Sequence, residues 1–368
     1  MAVVGAGTMG AGIAQLGLEH GHRVLLIDVD PLATARARSG IADGLGRRLV
    51  KQGLAGPGLD KARSALLERL SLATDPDEAA GAAVAIEAVV ERLEVKQALV
   101  GRLDRLLDPV AILATNTSAL SIDAIAAAAG EHPERVLGLH FFNPAPVMPL
   151  VEVVAGRQTA AAVVEAAAAL VSDWGRTPIR CSDHPGFIVN RVNRPFTIQA
   201  LRGLEGGAGT VVGIDAAFRS DGFPLGPFAL MDLIGIDVNL AAATGIWEAF
   251  GRAERFRPSP IQEALVAAGR LGRKTGAGFY RYDAEGAPLG PADGFEAVPG
   301  RPNDDAQGVV ERVRQAIADE AILALAEGVA ADEATIDLAL KLGAGHPDGP
   351  FAWAHAHGRL QPRPTIEP

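Results

Sequence analysis

The chain opens on Ala2-Val3-Val4 and runs straight into Gly5-Ala6-Gly7-Thr8-Met9-Gly10, a strand feeding a G-x-G-x-x-G turn. Apolar residues at Ile13, Leu16 and Leu18 then predict a helix ending at Gly21, and Val24 to Ile27 a second strand that delivers Asp28. No other stretch restricts the fold as much. In this arrangement the first glycine permits a tight turn, the second lets the backbone approach a pyrophosphate, and the third lets helix and strand pack closely. The helix N-terminus offers oriented N–H groups to the phosphates. Asp28 stands 18 residues after Gly10, where an acid can meet a ribose 2′-hydroxyl and would repel a 2′-phosphate. The stretch therefore predicts a dinucleotide site that favours NAD over NADP, lined by Gly5, Gly7, Thr8, Met9, Gly10 and Asp28. Because the first strand starts at residue 2, a natural start further upstream is also expected.

Beyond Asp28 the chain keeps alternating strand and helix. Pro31 to Gly53 reads as a long helix carrying Arg47, Arg48 and Lys51, either a solvated basic face or an anion site for a phosphorylated handle. A loop over Gly53 to Gly58 and a helix over Leu59 to Leu70 come next. Val84 to Ile86 is a strand running into Glu87 and Glu91, a helix from Leu93 bears Lys96, and Ile112 to Thr115 is a strand ending in Asn116-Thr117-Ser118. In open α/β sheets ligands sit at these C-terminal strand ends. Ser118 lies at one, but taken alone it reads more readily as the N-cap of a helix over Ile122 to Ala129. With 368 residues, 48% of them hydrophobic, the chain can build two or three domains with real cores. No apolar run reaches the roughly 20 residues that span a bilayer. The formal charge of −10 argues against nucleic acid as a partner. A single cysteine, Cys181, excludes an internal disulfide framework and leaves no metal-ligand cluster, which points to the cytoplasm.

Val136 to Phe141 reads as a buried strand ending near His140, Asn143-Pro144-Ala145-Pro146 as a turn, and Leu150 to Val154 as the returning strand. Alternation puts Leu150, Glu152 and Val154 on one face, so Glu152 is a carboxylate among apolar residues, costly unless a polar group answers it. The nearest candidate is His140, at the far end of the same hairpin; the pair is either a general base with its partner or a core histidine beside an unrelated glutamate. A helix over Ala160 to Trp174 and a last strand over Thr177 to Cys181 close this part.

Near residue 184, at Asp183-His184-Pro185-Gly186, the pattern turns all-helical, with only Gly278 to Tyr282 extended. This part contains a repeat: Gly222-Phe-Pro-Leu-Gly226-Pro227-Phe228-Ala229 returns as Gly345-His-Pro-Asp-Gly349-Pro350-Phe351-Ala352. Each copy follows an Ile-Asp pair, Ile214-Asp215 and Ile336-Asp337, and before it an Ala/Leu-rich helix. The expected organisation is α/β: a Rossmann-type dinucleotide-binding domain over 1–183, then an all-α domain in two tandem copies, 184–283 and a shorter 305–358, with a linker over 284–304 and a loosely ordered tail over 359–368. The basic pair Arg273-Lys274 closes the first copy, as a surface turn or as a reach toward the nucleotide.

Seven motifs in order (GAGTMGAGIA, IEAVVERLEVK, ATNTSALSI, LGLHFFNPAPVMPLVEVV, DHPGFIVNRV, PLGPFALMDLIG and RKTGAGFYRY) resemble the L-3-hydroxyacyl-CoA dehydrogenase family over residues 1 to about 283, with the second copy resembling its tandem form. The resemblance implies NAD-linked oxidation of a (3S)-3-hydroxyacyl-CoA, with His140 as catalytic base and Glu152 as its partner. Ser118 and Asn190 match residues that contact the substrate oxygens. Glu91, Lys96, Ser118, Asn143 and Lys274 match positions lining the NAD site, and Lys51 one near CoA, with Lys96, Ser118 and Asn190 also on the substrate side. The departures are Gly44 in place of a serine that touches CoA, Pro149 in place of a lysine, and Gln199 and Ala229 in place of glutamates. A short-chain substrate such as 3-hydroxybutyryl-CoA is expected; the alternatives are 3-hydroxyadipyl-CoA, a free sugar acid, or a non-catalytic NAD-binding sensor. Single-copy members of the family dimerise through the helical domain, so the chain is expected either to dimerise there or to fill the partner's place with its own second copy.

Overall fold

A computed structural model describes residues 1–295 and 305–360. The chain divides into two compact units, Met1–Phe187 and Ile188–Pro368.

The first unit is a single sheet of eight strands with helices on it. In chain order these are β1 (Ala2–Val4), α1 (Thr8–Glu19), β2 (Val24–Ile27), α2 (Pro31–Lys51), α3 (Gly56–Leu67), β3 (Leu70–Ala73), β4 (Val84–Glu87), α4 (Leu93–Asp104), β5 (Ile112–Thr115), α5 (Ile122–Ala126), β6 (Val136–Phe141), β7 (Leu150–Ala155), α6 (Ala161–Asp173) and β8 (Thr177–Ser182). The sheet order is 3-2-1-4-5-6-7-8, parallel throughout except where β7 pairs antiparallel with β6. The order reverses between β1 and β4, which is where a doubly wound sheet opens a crevice for a ligand. Two apolar clusters cover its faces, one around Ile13, Leu16, Leu26 and Trp174, the other around Val100, Leu103, Leu113 and Ile125. Two local expectations need correcting. The helix expected from Leu59 starts at Gly56 and stops at Leu67, because Leu70 to Ala73 leaves it to pair with β2 as an edge strand whose middle residues Ser71 and Leu72 face out. The helix expected from Ile122 to Ala129 stops at Ala126, and its N-cap is Ser121, whose hydroxyl accepts from Ala124 N; Ser118 is therefore not the cap.

The second unit comprises α7 (Val189–Val192), α8 (Arg194–Glu205), α9 (Val211–Ser220), α10 (Pro227–Ile234), α11 (Ile236–Ala249), α12 (Pro260–Ala267), a hairpin of β9 (Tyr280–Tyr282) with β10 (Pro288–Pro291), then α13 (Ala306–Ala326), α14 (Glu333–Ala344) and α15 (Pro350–Ala356). The strand β10 falls in the segment expected to be a linker, which is thus partly built into the first copy by pairing with β9. Of the expected tail over 359–368, residues 361–368 lie outside the described residues, as do 296–304 of the expected linker.

The repeat has a physical origin. Asp215 accepts hydrogen bonds from Phe228 N and Ala229 N at 3.0 and 2.9 Å, and Asp337 does the same for Phe351 N and Ala352 N at 2.8 and 2.9 Å. Each aspartate caps a helix that begins with proline, and a Cβ on Gly226 or Gly349 would overlap it. The two copies then meet reciprocally. Gly222 of the first lies against Pro347 of the second, Gly345 of the second against Pro224 of the first, and Phe223 packs on its counterpart His346 with ring centroids 5.0 Å apart. Contacts of the kind i-to-j and j-to-i define a two-fold relation, and Phe223 and His346 stand on its axis.

Among the described residues no single helix is long and apolar enough to cross a membrane; α10 and α11 reach that length together but bend by 102° between them.

Candidate active site

At the crevice beside β1, Gly5 has φ +104, a conformation that glycine tolerates and other residues resist, and a Cβ there would meet the Ala88 carbonyl. A Cβ on Gly10 would overlap the Gly5 carbonyl oxygen, so helix α1 can start against the strand only because that side chain is missing. Gly7 faces open space. A cavity of about 720 Å³ extends from these residues past Thr8 and Met9 to Asp28, walled by Val29, Val89 and Leu99. Asp28 is held in place through Ala6 N on Oδ2 (2.8 Å) and Asp30 N on Oδ1 (3.0 Å). Each carboxylate oxygen keeps a further lone pair for a ribose hydroxyl. Room at Gly7 for a pyrophosphate, a helix N-terminus and a fixed carboxylate together fit a dinucleotide.

The hairpin holds the second group. His140 and Glu152 are direct cross-strand partners in the β6–β7 register, not residues at opposite ends of the hairpin as the sequence suggested. The strand bounds are as expected; the register decides the matter, pairing Phe141 with Val151 and so His140 with Glu152. Their side chains meet with Nδ1 2.6 Å from Oε2, the histidine 4% and the glutamate 0% exposed. An ionised carboxylate only accepts, so Nδ1 carries the shared proton, and a neutral imidazole held this way presents the lone pair of Nε2. The rings of Phe142 and Phe187 lie 4.6 and 5.7 Å from the imidazole and narrow its range of orientations. Phe187 does so from φ +49, a conformation rarely adopted by a bulky residue and one that marks a site held by its surroundings. Asn116 accepts from Phe141 N at 2.9 Å and ties the end of β5 to the end of β6. From the sequence, Asn116 has only a place at a strand end, and Phe142 and Phe187 have no role in the site. The only available signal was their position beside the histidine or at a strand end.

Glu91 receives Thr117 Oγ1 at 2.6 Å and Ser118 N at 2.8 Å, so it pins the loop that presents Ser118, which is exposed. Lys96 corrects one expectation. It is 1% exposed, with its ammonium 2.7 Å from Glu87 and 3.2 Å from Glu91, so it cannot reach out to a CoA phosphate; it holds the two glutamates instead. Of the basic face on α2, Arg48 is engaged by Glu19 at 2.6 Å, while Arg47 and Lys51 are exposed. Gly44 is occupied from the other side: Gln15 of α1 fills the space where a side chain would stand. Asn143 is exposed on the hairpin turn. In the helical unit, Lys274 is bound by Asp237 at 2.6 Å, and Asn190 lies half-buried in α7.

The class these features define is an NAD-binding, Rossmann-type dehydrogenase with a histidine–carboxylate pair. Comparison narrows it. The sequence model of the 3-hydroxyacyl-CoA dehydrogenase NAD binding domain matches residues 1–184, and that of the 3-hydroxyacyl-CoA dehydrogenase C-terminal domain matches residues 186–282 and again 309–359. The chain is 50% identical over 286 residues to the 3-hydroxyadipyl-CoA dehydrogenase of Escherichia coli K12, a match covering 77% of this chain and 59% of that protein. It is 39% identical to a 3-hydroxybutyryl-CoA dehydrogenase of Mycobacterium tuberculosis, over 76% of this chain and 97% of the relative. The crystal structure of a 3-hydroxybutyryl-CoA dehydrogenase from Escherichia coli superposes with a TM-score of 0.85 at 38% identity, covering 97% of this chain and 92% of that one. The chain belongs to the 3-hydroxyacyl-CoA dehydrogenase family and is an NAD-dependent oxidoreductase.

Proposed function

We propose that the chain oxidises the 3-hydroxyl of a (3S)-3-hydroxyacyl-CoA, reversibly, with His140 as general base. The observation that carries this reading is the buried His140–Glu152 pair. NAD, when bound, supplies the hydride acceptor. A hydride leaves C3 only as its hydroxyl gives up a proton, so a base must lie within hydrogen-bond reach of that oxygen. Nε2 of His140 takes that proton. Glu152 fixes the tautomer and stabilises the imidazolium that results, and the two phenylalanine rings keep water from competing for the nitrogen. Ser118 and Asn190 hold the substrate oxygens, a positioning contribution. Glu91, Asn143 and Lys274 are assigned to the NAD side, and Lys51 with its exposed ammonium to the CoA phosphates. The reading is tested with His140→Ala: turnover of acetoacetyl-CoA should fall by about 10²- to 10⁴-fold while NADH affinity stays within about twofold. Wild-type turnover in the variant would remove His140 from the mechanism.

The reciprocal contacts of the two helical copies support a chain whose second copy stands where a partner subunit would otherwise pack, and the single cysteine supports a cytoplasmic location.

A further inference from the structure

One helical turn beyond Asn190 the chain buries a cation for which the described residues offer no carboxylate. Arg194 is 7% exposed, its Nε is enclosed without a hydrogen-bond partner, and among the described residues no carboxylate pairs with it. Burial alone lowers its pKa to about 10. Arginine is almost never buried this far without a counter-charge. The neighbouring acids are already engaged. Arg191, three residues earlier, takes Glu320 at 2.7 Å and Glu327 at 2.5 Å, and Arg255 takes the other oxygen of Glu320 at 2.8 Å. Asn193 spends its side-chain oxygen on His346 at 2.8 Å. The backbone stays right-handed through Asn193 (φ −81, ψ −6), so Asn190 and Arg194, four residues apart, fall on one side of the α7–α8 stretch, separated by about 6 Å along the axis.

We infer that Arg194 receives a carboxylate at the far end of the acyl group, so that the substrate class is a short dicarboxylic 3-hydroxyacyl-CoA. This rests on the proposed role of Asn190 in holding the substrate near C3. A guanidinium and a carboxylate form two parallel charge-assisted hydrogen bonds, which fixes the acyl chain at both ends. A methyl-terminated acyl group of equal length would leave the guanidinium buried and unanswered. The site therefore favours the diacid, which alone supplies the missing counter-charge.

The test compares NADH-dependent reduction of 3-ketoadipyl-CoA with that of 3-ketohexanoyl-CoA, which has the same chain length and the same CoA. Wild type should favour the diacid in kcat/KM by about 10- to 100-fold. Arg194→Met should abolish that preference by slowing the diacid reaction while sparing the other, Arg194→Lys should keep part of it, and the methionine variant should melt higher because it removes an unpaired buried charge. An equal loss on both substrates would mean that Arg194 meets the shared CoA phosphates, and an unchanged ratio that it meets no substrate group; either overturns the inference. Wild-type enzyme that reduces neither substrate would overturn the proposed function as well, whereas failure confined to the ratio leaves that function standing.

Discussion

Two buried groups in the helical unit respond to pH in opposite senses. Burial holds His346 down at about 3, with Arg314 adding to the effect. Its folded value lies below the unfolded one, so stability is full above about pH 6.5 and is lost as pH falls toward 3. Asp215 is pushed up to about 6 by burial, against the hydrogen bonds that it accepts from Phe228 N, Tyr280 and Ala229 N. Its sign is reversed: the stability it contributes is present below about pH 4 and is lost as pH rises through 6. Replacing His346 with phenylalanine keeps the ring on the two-fold axis and matches Phe223. The difference in Tm between His346→Phe and wild type should widen in favour of the variant as pH drops from 7 to 4. Parallel curves would show that His346 does not titrate on unfolding. At the NAD site the corresponding prediction concerns Asp28. Asp28→Ser should weaken NAD binding by about 1–2 kcal/mol through the lost hydrogen bonds and raise relative use of NADP, as read from kcat/KM with each cofactor.

Between elements, the two capping aspartates make a matched pair. Asp215 is fully buried and also accepts from Tyr280 Oη at 2.8 Å, whereas Asp337 is half-buried. Asp337→Ala should cost roughly 0.5–2 kcal/mol, the range for a lost cap. Asp215→Ala should cost more, because one further donor, Tyr280 Oη, loses its acceptor and the helix start it caps is buried at Phe228. Equal losses in chemical denaturation would refute the difference. A larger effect is expected where α13 grips α7. Glu320→Gln leaves Arg191, 0% exposed, with Glu327 as its remaining carboxylate, and should destabilise by about 1–3 kcal/mol. The capping pattern could be read in the sequence, because Ile-Asp and Gly-Pro-Phe-Ala recur in the same order at nearly the same spacing. The grip of Glu320 and Glu327 on Arg191 could not, because the partners lie more than 120 residues apart and no local period links them. The strand β3 was missed for a related reason: an edge strand of four residues with two facing water looks like the end of a helix.

For the whole molecule, the proposed reading is that the second copy takes a partner's place, through the reciprocal packing of Gly222 on Pro347 and Gly345 on Pro224. Light scattering at micromolar concentration should therefore give the mass of one chain, 38.0 kDa, and an inseparable dimer formed through these helices would refute the substitution of copy for partner. The sequence by itself determined the Rossmann unit, its nucleotide and the tandem repeat. Those features rest on short-range rules: glycine geometry, strand and helix periods, and a cap within fifteen residues of the helix it serves. Only the tertiary structure decided three other matters. It placed Glu152 level with His140, it withdrew Lys96 from the surface into a cluster with Glu87 and Glu91, and it left Arg194 as a buried charge with no carboxylate partner among the described residues. Each depends on strand register or on which carboxylates other elements bring near, and the chain settles these only when distant segments pack together.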